Sequence, residues 1–176
     1  MLREFKDDDW VSVHPYACDP EVVKYMTWGP NTSDDTRNFI RRAIAYQQEQ
    51  PRRHFELAIT LREEGQLIGG CGIRVSSHEL REGNIGYCLN RNYWSKGYAT
   101  EAARELLRFG FEALSLHRIY ATCDPENYAS RRVLEKIGMT LEGHLREILL
   151  MRGEWRDSLI YAILAREWKN SDTPLR

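Results

Sequence analysis

The chain has 176 residues, of which 42% are hydrophobic and 29% are charged, and its formal net charge is −1. This length suffices for one compact core, so we expect a single domain over residues 1–168 and a frayed polar tail at 169–176. The near-neutral charge predicts neither a nucleic acid nor a membrane as partner. No apolar run approaches the roughly 20 residues that span a bilayer, and the N-terminus lacks a signal-peptide core. We therefore expect a cytoplasmic protein.

The four cysteines are scattered along the chain and form no C-x-x-C pair. This pattern favours reduced, mostly buried thiols over disulfides or a zinc site. We therefore expect no metal.

The first half of the chain predicts a strand, three helices and a β-hairpin. Apolar residues at helical spacing indicate an amphipathic helix from Ser33 to about Pro51. Alternating apolar and polar residues then predict two hairpin strands, joined by a turn at residues 63–66. The predicted elements are a strand at residues 2–5, short helices near 10 and 20, the helix from 33, and strands at 54–61 and 67–75.

The second half predicts two strand-helix units and a final hairpin. A strand over residues 85–89 leads into a helix that runs to about Leu114, and a strand over 117–123 leads into a second helix. A right-handed crossover would make these two strands parallel neighbours. Residues 140–151 and 155–164 form the hairpin, whose apolar residues on both faces predict a well-covered sheet.

The turn between residues 89 and 100 is the most informative stretch. Gly97 can adopt a positive φ, Ala99 is small, and the helix that follows begins with unpaired amides. These amides, the helix dipole and Lys96 together indicate a cradle for a pyrophosphate. The alternative is an ordinary strand-to-helix connection, because neither a P-loop nor a G-x-G-x-x-G motif is present.

The segment YWSKGYATEA at residues 93–102 resembles the acetyl-CoA loop of the GNAT N-acetyltransferases. Its G-x-A core matches that family, and Trp94 stands where the general pattern has Gln or Arg. Trp94 is typical of the branch that resembles the ribosomal-protein N-terminal (alanine/serine) acetyltransferases. Residues 127–139 and 142–147 resemble the same branch, and the resemblance extends from about Leu2 to about Trp168.

This resemblance implies an α/β fold with a mixed, mostly antiparallel sheet, flanking helices and a central pair of parallel strands that splay apart. The gap between those strands would receive the pantetheine arm and the thioester of acetyl-CoA, the acyl donor. The residues that the resemblance implies for acetyl-CoA binding are Cys88, Leu89, Trp94, Ser95, Lys96, Gly97, Tyr98, Ala99, Thr100, Asn127, Ser130 and Arg131.

Amine acetylation needs a group that protonates the departing thiolate and a group that accepts the amine proton. The resemblance implies Ser130 as the acid, whereas a helical serine otherwise bonds the carbonyl four residues back. Asn127 either contacts the cofactor or caps its helix. Related chains often carry Glu at the position of Asn84, so the base is open between Glu147, which we slightly favour, Glu82 and a chain of water molecules. Trp28, Tyr46 and Asn84 are candidate acceptor-binding residues, with core packing as the alternative for the two aromatic side chains.

The leading hypothesis is an enzyme that transfers the acetyl group of acetyl-CoA to a primary amine, with a protein N-terminus as one candidate acceptor. A polyamine, amino-sugar or antibiotic acceptor is the nearest rival. A binding module that has kept the CoA cradle and lost its chemistry is a hypothesis of a different class. The chain would act as a monomer or a homodimer.

Overall fold

The computed structural model describes residues 1–169 of the chain. Apart from Lys169, the predicted frayed tail lies outside these residues. The strands are β1 (Leu2–Glu4), β2 (His54–Thr60), β3 (Leu67–Ser77), β4 (Glu82–Leu89), β5 (Arg118–Cys123), β6 (Thr140–Met151) and β7 (Glu154–Leu164). The α-helices are α1 (Trp10–Ala17), α2 (Pro20–Val23), α3 (Ser33–Tyr46), α4 (Tyr98–Arg108), α5 (Tyr128–Lys136) and α6 (Ala165–Lys169).

The strands form one seven-stranded sheet in the order β1-β2-β3-β4-β5-β7-β6. Neighbouring strands are antiparallel except β4 and β5, which are parallel and joined by α4. A crossover through a helix is the connection that parallel neighbours require. The predicted mixed, mostly antiparallel sheet with a central parallel pair is therefore confirmed.

The parallel pair opens along its length. β4 and β5 are in register only from Glu82 opposite Arg118 to Asn84 opposite Tyr120. Beyond Asn84 the two strands diverge, and Gly86 is exposed although β4 is the central strand of the sheet. The predicted splay is confirmed, and residues 85–89 and 121–123 border the gap between the strands, which we call the slit.

Helices cover both faces of the sheet around this slit. On one face α4 and α5 pack against the strands through a core that includes Leu106, Leu107 and Leu134. On the other face α1 and α3 form a second core with Phe5 and Ile40. The slit therefore lies between two helical layers, one on each face of the sheet.

The prediction that the last hairpin is covered on both faces is wrong for β6. β7 lies between β5 and β6 and buries Tyr161 and Ile163, whereas β6 is an edge strand. Ile148 and Leu150 on β6 are 53% and 61% exposed. An apolar pattern shows that a strand can be covered, but it does not show which strand lies at the edge. None of the helices in residues 1–169 has the length and apolarity needed to cross a bilayer.

Candidate active site

The turn that leads into α4 has the geometry of an anion cradle. Gly97 is the N-cap of α4 and has a φ of 87°. The first hydrogen bond of the helix runs from the Glu101 N–H to the Gly97 carbonyl at 3.0 Å, so the three amides before Glu101 have no intrahelical acceptor. A Cβ atom at Gly97 would meet no atom of the described chain within 4 Å, which leaves open space over these amides.

Side chains of the same turn hold it against the sheet. The Trp94 indole N–H donates to the Leu89 carbonyl at 2.8 Å, and this bond ties the turn to the end of β4. The Lys96 ammonium lies 5.3 Å from the centre of the Tyr93 ring. Ser95 is exposed with a φ of 60°, and Thr100 is half-buried in the first turn of α4. The turn therefore combines an exposed cation with the open amides at the start of α4.

The slit between β4 and β5 begins where this cradle ends. Residues 85–89 pair with β3 on one side but not with β5 on the other, so backbone groups of β4 are left without a partner strand. Across the slit, Asn127 caps α5 by accepting the Ser130 N–H at 3.1 Å. Arg131 follows on α5 and donates to the Pro125 carbonyl at 3.4 Å. An amide-containing arm that ends in a diphosphate fits a free strand edge followed by a helix N-terminus.

Ser130 faces the slit and has a specific partner there. Its hydroxyl lies 3.0 Å from the Tyr87 hydroxyl, which also donates to the Ser130 carbonyl at 3.2 Å. Burial raises the pKa of Tyr87 well above its ordinary value, although the hydrogen bond with Ser130 acts in the opposite direction. Tyr87 therefore remains protonated at neutral pH, and the two hydroxyls form a pair that can relay a proton. Tyr128 is 64% exposed and is not part of this pair.

A cavity of about 800 Å³ lies on the opposite face of the sheet. α1, α3 and the loop that contains Trp28 form its walls and roof, and β2, β3 and β4 form its floor. The cavity also reaches the β4 residues that border the slit, including Gly86 and Cys88. Burial raises the pKa of the Cys88 thiol to about 12, so this thiol is not ionised at neutral pH.

Arg152 holds the roof of this cavity in place. It lies in the β6–β7 turn, and its guanidinium donates to the Val23 carbonyl at 3.0 Å and to the Gly29 carbonyl at 3.1 Å. Longer bonds to the carbonyls of Lys24, Met26 and Trp28 complete the set. A single guanidinium group thus donates hydrogen bonds to carbonyl groups at the end of α2 and in the loop that follows it.

The cavity floor contains two oxygen acceptors. The Asn84 Oδ1 atom is buried and has no hydrogen-bond donor within the described chain. Glu56 lies on β2, and desolvation by burial raises the pKa of its carboxyl, with partial offsets from His54 and Arg42. A Cβ atom at Gly72 would come within 2.8 Å of Glu56 Oε2, so the glycine makes room for this carboxylate.

The carboxylates predicted as the base lie elsewhere. Glu82 accepts from Arg118 at 3.1 Å and from the Ser76 hydroxyl at 3.1 Å, at the closed end of the parallel pair. Glu147 is exposed on β6, where its φ is 48° and its N–H donates to Asp157 at 2.8 Å. Neither residue lines the cavity.

The two aromatic residues predicted for the acceptor pocket differ in position. Trp28 lines the cavity and is 39% exposed. Tyr46 instead stacks on His54, with 4.2 Å between the ring centres, and it is not among the lining residues. Within residues 1–169, no three His, Cys, Asp or Glu side chains are grouped as metal ligands, and the absence of a metal stays a prediction.

Three residues of this region were missed by the sequence reasoning. Tyr87 is signalled only by alternation in β4, which places it with Ile85 and Leu89 on the face turned toward α5. Glu56 is signalled by the glycines that stand beside it in the sheet, Gly72 and Gly86. Arg152 stands in a hairpin turn, and the sequence around it does not indicate that its side chain binds the carbonyl groups of a distant loop.

Comparisons with known proteins agree with this geometry. Residues 1–140 match the family described as the acetyltransferase (GNAT) domain. The chain is 39% identical over 168 residues to the uncharacterized N-acetyltransferase YnaD of Bacillus subtilis, a match that covers 96% of this chain and 95% of that protein.

Solved structures give the same result. An acetyltransferase (GNAT family) from Bacillus anthracis superposes with a TM-score of 0.83 at 39% identity and 94% coverage of both chains. The RimJ protein of Mycobacterium smegmatis in complex with CoA-disulfide superposes with a TM-score of 0.83 at 29% identity, covering 94% of this chain and 82% of that one. From its sequence matches and its fold, the chain belongs to the GNAT family of N-acetyltransferases, and its activity is the transfer of an acetyl group to an amine.

Proposed function

We propose that this enzyme uses acetyl-CoA as its acyl donor and that a primary amine attacks the thioester directly inside the slit. One observation carries the proposal: the Tyr87 hydroxyl meets Ser130 of α5 on one face of the sheet, and the 800 Å³ cavity on the other face reaches residues 84–88 of β4, Tyr87 included. A thioester in the slit would be open to an amine from the cavity and would lie near a proton donor on the opposite side. The RimJ structure with CoA-disulfide supports the choice of donor.

The chain offers groups for the pyrophosphate and for the pantetheine arm of acetyl-CoA. The amides from Lys96 to Thr100 and the Lys96 ammonium would hold the pyrophosphate, because anions bind at helix N-termini. Trp94, Ser95 and Tyr98 shape the turn, and Gly97 and Ala99 keep it open. Cys88 and Leu89 would present backbone groups to the pantetheine arm, while Asn127 and Arg131 border the other side of the slit.

The reaction balances with these groups. The amine nitrogen forms a bond to the carbonyl carbon, and the carbon–sulfur bond breaks. The departing thiolate takes a proton from the Ser130 hydroxyl, Tyr87, at 3.0 Å, restores it, and Tyr87 regains its own proton from solvent. An acceptor that arrives as an ammonium therefore loses two protons, of which one ends on the CoA thiol and one in solvent. A positioned acid contributes about 10²–10⁴-fold to the rate of such a step.

Two carboxylates are candidates for the base that receives the amine proton, and a comparison of two variants tests them. Glu147 and Glu82 are the carboxylates that the sequence predicts, although neither lines the cavity. The dependence of kcat/KM on pH should be measured for Glu147→Gln and for Glu82→Gln. Loss of the acidic limb in one variant, at constant acetyl-CoA affinity, identifies the base. A full profile in both variants removes both residues from the proposal.

A protein N-terminal amine is the first candidate acceptor. Its support is the sequence resemblance of Trp94 and of residues 127–139 and 142–147 to acetyltransferases that act on ribosomal proteins. A cytoplasmic location and a monomeric or homodimeric state remain predictions from the sequence.

A panel of acceptors tests the proposal. Release of the CoA thiol should be measured with N-terminal peptides, polyamines and aminoglycosides, each with and without enzyme. Turnover that depends on an N-terminal peptide supports the proposed acceptor. Turnover confined to polyamines or aminoglycosides assigns a small-molecule acceptor instead. Binding of acetyl-CoA without release in the presence of any amine would show a binding module.

A further inference from the structure

The cavity floor offers a ligand acceptors rather than donors. In the part of the chain that the structure describes, the Asn84 Oδ1 atom has no donor, and the Glu56 carboxylate makes no hydrogen bond or ion pair. Buried polar atoms are nearly always satisfied by protein, water or ligand. A ligand with N–H donors, such as an ammonium, would supply what these oxygens lack.

The carboxylate has an open path to the slit. Glu56 stands opposite Gly72, and Gly72 stands opposite Gly86, so these residues form one row across β2, β3 and β4. Two strand spacings, roughly 10 Å, separate the ends of this row. Neither glycine carries a side chain, and a Cβ atom at Gly86 would meet no described atom within 4 Å. An amine at Glu56 would therefore lie on a clear path to the edge of β4.

The exposed rim of the cavity at Arg42 and Arg74, which we call its mouth, has the opposite charge. Arg42 on α3 and Arg74 on β3 are exposed lining residues, and within residues 1–169 neither guanidinium makes a hydrogen bond or an ion pair. The lining carboxylate at the mouth, Asp35, is already engaged, because it accepts from the Thr32 N–H at 3.0 Å and from the Thr32 hydroxyl at 2.6 Å. The uncommitted charges of the cavity are thus one carboxylate on the floor and two guanidiniums at the mouth.

We infer that the acceptor is a primary amine that also carries an anionic group, with its amine at Glu56 and Asn84 and its anion at Arg42 and Arg74. This inference rests on the proposed function and specifies its substrate class. Guanidinium groups bind carboxylates and phosphates through paired N–H donors, so either anion fits the mouth. A polyamine fits poorly, because its additional ammonium groups would lie beside the two arginines.

Glu56 also has the position of a proton acceptor. Its carboxylate accepts one proton from the bound ammonium, and the neutral amine can then move along the clear row to the edge of β4 and attack the thioester in the slit. The carboxylic acid returns this proton to solvent when the product leaves. The amine loses its second proton as the amide forms, and this loss balances the proton that the thiolate gains. His54 and Arg42 are the charged groups whose fields act on this carboxyl, and burial raises its pKa toward that of a useful base.

Matched acceptors and matched variants test the inference. Glucosamine 6-phosphate is compared with glucosamine, and a peptide that begins Ala-Glu-Glu is compared with one that begins Ala-Lys-Lys, with spermidine as a further acceptor. Thiol release gives kcat and KM for the unmodified chain and for Glu56→Gln, Arg42→Gln and Arg74→Gln. Arg62→Gln, in the exposed turn between β2 and β3, is the control for loss of a positive charge.

The anionic member of at least one pair should have the higher kcat/KM by about 10-fold or more, the gain from one charge-assisted hydrogen bond. The pair that shows this preference identifies a carboxylate-bearing peptide or a phosphorylated sugar as the source of the anion. Arg74→Gln or Arg42→Gln should remove the preference by raising KM at unchanged kcat, whereas Arg62→Gln should not. Glu56→Gln should lower kcat/KM about 10²–10⁴-fold and remove the acidic limb of its pH profile.

Other results separate the inference from the proposed function. Turnover that prefers spermidine or the lysine peptide, and that is unchanged in both arginine variants, overturns the inference and leaves the acetyl transfer standing. Normal kcat/KM and an unchanged pH profile in a folded Glu56→Gln variant also overturn it. Acetyl-CoA binding with no thiol release for any amine overturns the proposed function and the inference together.

Discussion

Replacement of Gly97 by valine should separate cofactor binding from folding. The φ of 87° at this position is unfavourable for any residue with a Cβ atom and costs about 1–2 kcal/mol of folding free energy. For a chain of this size that cost lowers Tm by about 2–8 °C. Because a Cβ atom at Gly97 would meet no described atom within 4 Å, the chain itself does not oppose the side chain. We therefore expect the variant to fold.

The same side chain would occupy the space over the amides that the diphosphate needs. Loss of one hydrogen bond to a charged group costs about 1.5–3 kcal/mol, which corresponds to about 10- to 150-fold in Kd. Isothermal titration calorimetry with acetyl-CoA should show this loss for Gly97→Val. The matched control is Gly153→Val, because Gly153 has a φ of 85° and equally open surroundings in the β6–β7 turn. The control should lose similar stability and keep its Kd, and an unchanged Kd in folded Gly97→Val would refute the cradle.

Three further perturbations address the rest of the site. Arg152→Ala should raise KM for the acceptor about 10-fold at constant acetyl-CoA affinity, because the cavity roof loses the cation that binds its carbonyls. Tyr87→Phe should lower kcat and cost about 1–3 kcal/mol of stability, because both hydrogen bonds of the hydroxyl to Ser130 are lost. The free energy of unfolding of Glu56→Gln, measured with urea at several pH values, should increase relative to that of the unmodified chain as the pH rises.

The sign of the last effect follows from the raised pKa of Glu56. The folded state holds the Glu56 proton to a higher pH than the unfolded state, whose carboxyl has a pKa near its ordinary value of 4.5. The free energy of unfolding of the unmodified chain therefore falls as the pH rises through this window, and glutamine removes the fall. A constant stability difference from pH 4 to pH 8 would contradict the burial of this charge. Unchanged steady-state kinetics in Arg152→Ala and Tyr87→Phe would contradict the other two expectations.

Local patterns in the sequence predicted most of the elements, because each pattern depends on a face or a turn. Apolar spacing located α3 and α4, and the cap at Asn127 is observed with its hydrogen bond to the Ser130 N–H. The splay of β4 and β5 came from the family resemblance instead. Strand alternation identifies the faces of a strand, but it does not show where two neighbours stop pairing.

Features that depend on register across several strands were not predictable in this way. Glu56 lies in one row with Gly72 and Gly86 only because the registers of two strand pairs, β2–β3 and β3–β4, place it there. Tyr46 was a candidate for the acceptor pocket, with packing as the alternative, and it stacks on His54 and does not line the cavity. The exposure of β6 depends on its place at the sheet edge, which the apolar pattern of the final hairpin does not contain.

The most direct test of the account is single-turnover thiol release by Ser130→Ala, with saturating acetyl-CoA and an acceptor that the unmodified chain uses. The account predicts a chemical step that is slower by about 10²–10⁴-fold, with an unchanged Kd for acetyl-CoA, because the variant lacks the hydroxyl that protonates the thiolate. A single-turnover rate equal to that of the unmodified chain would contradict it and would leave Ser130 as a packing residue of α5.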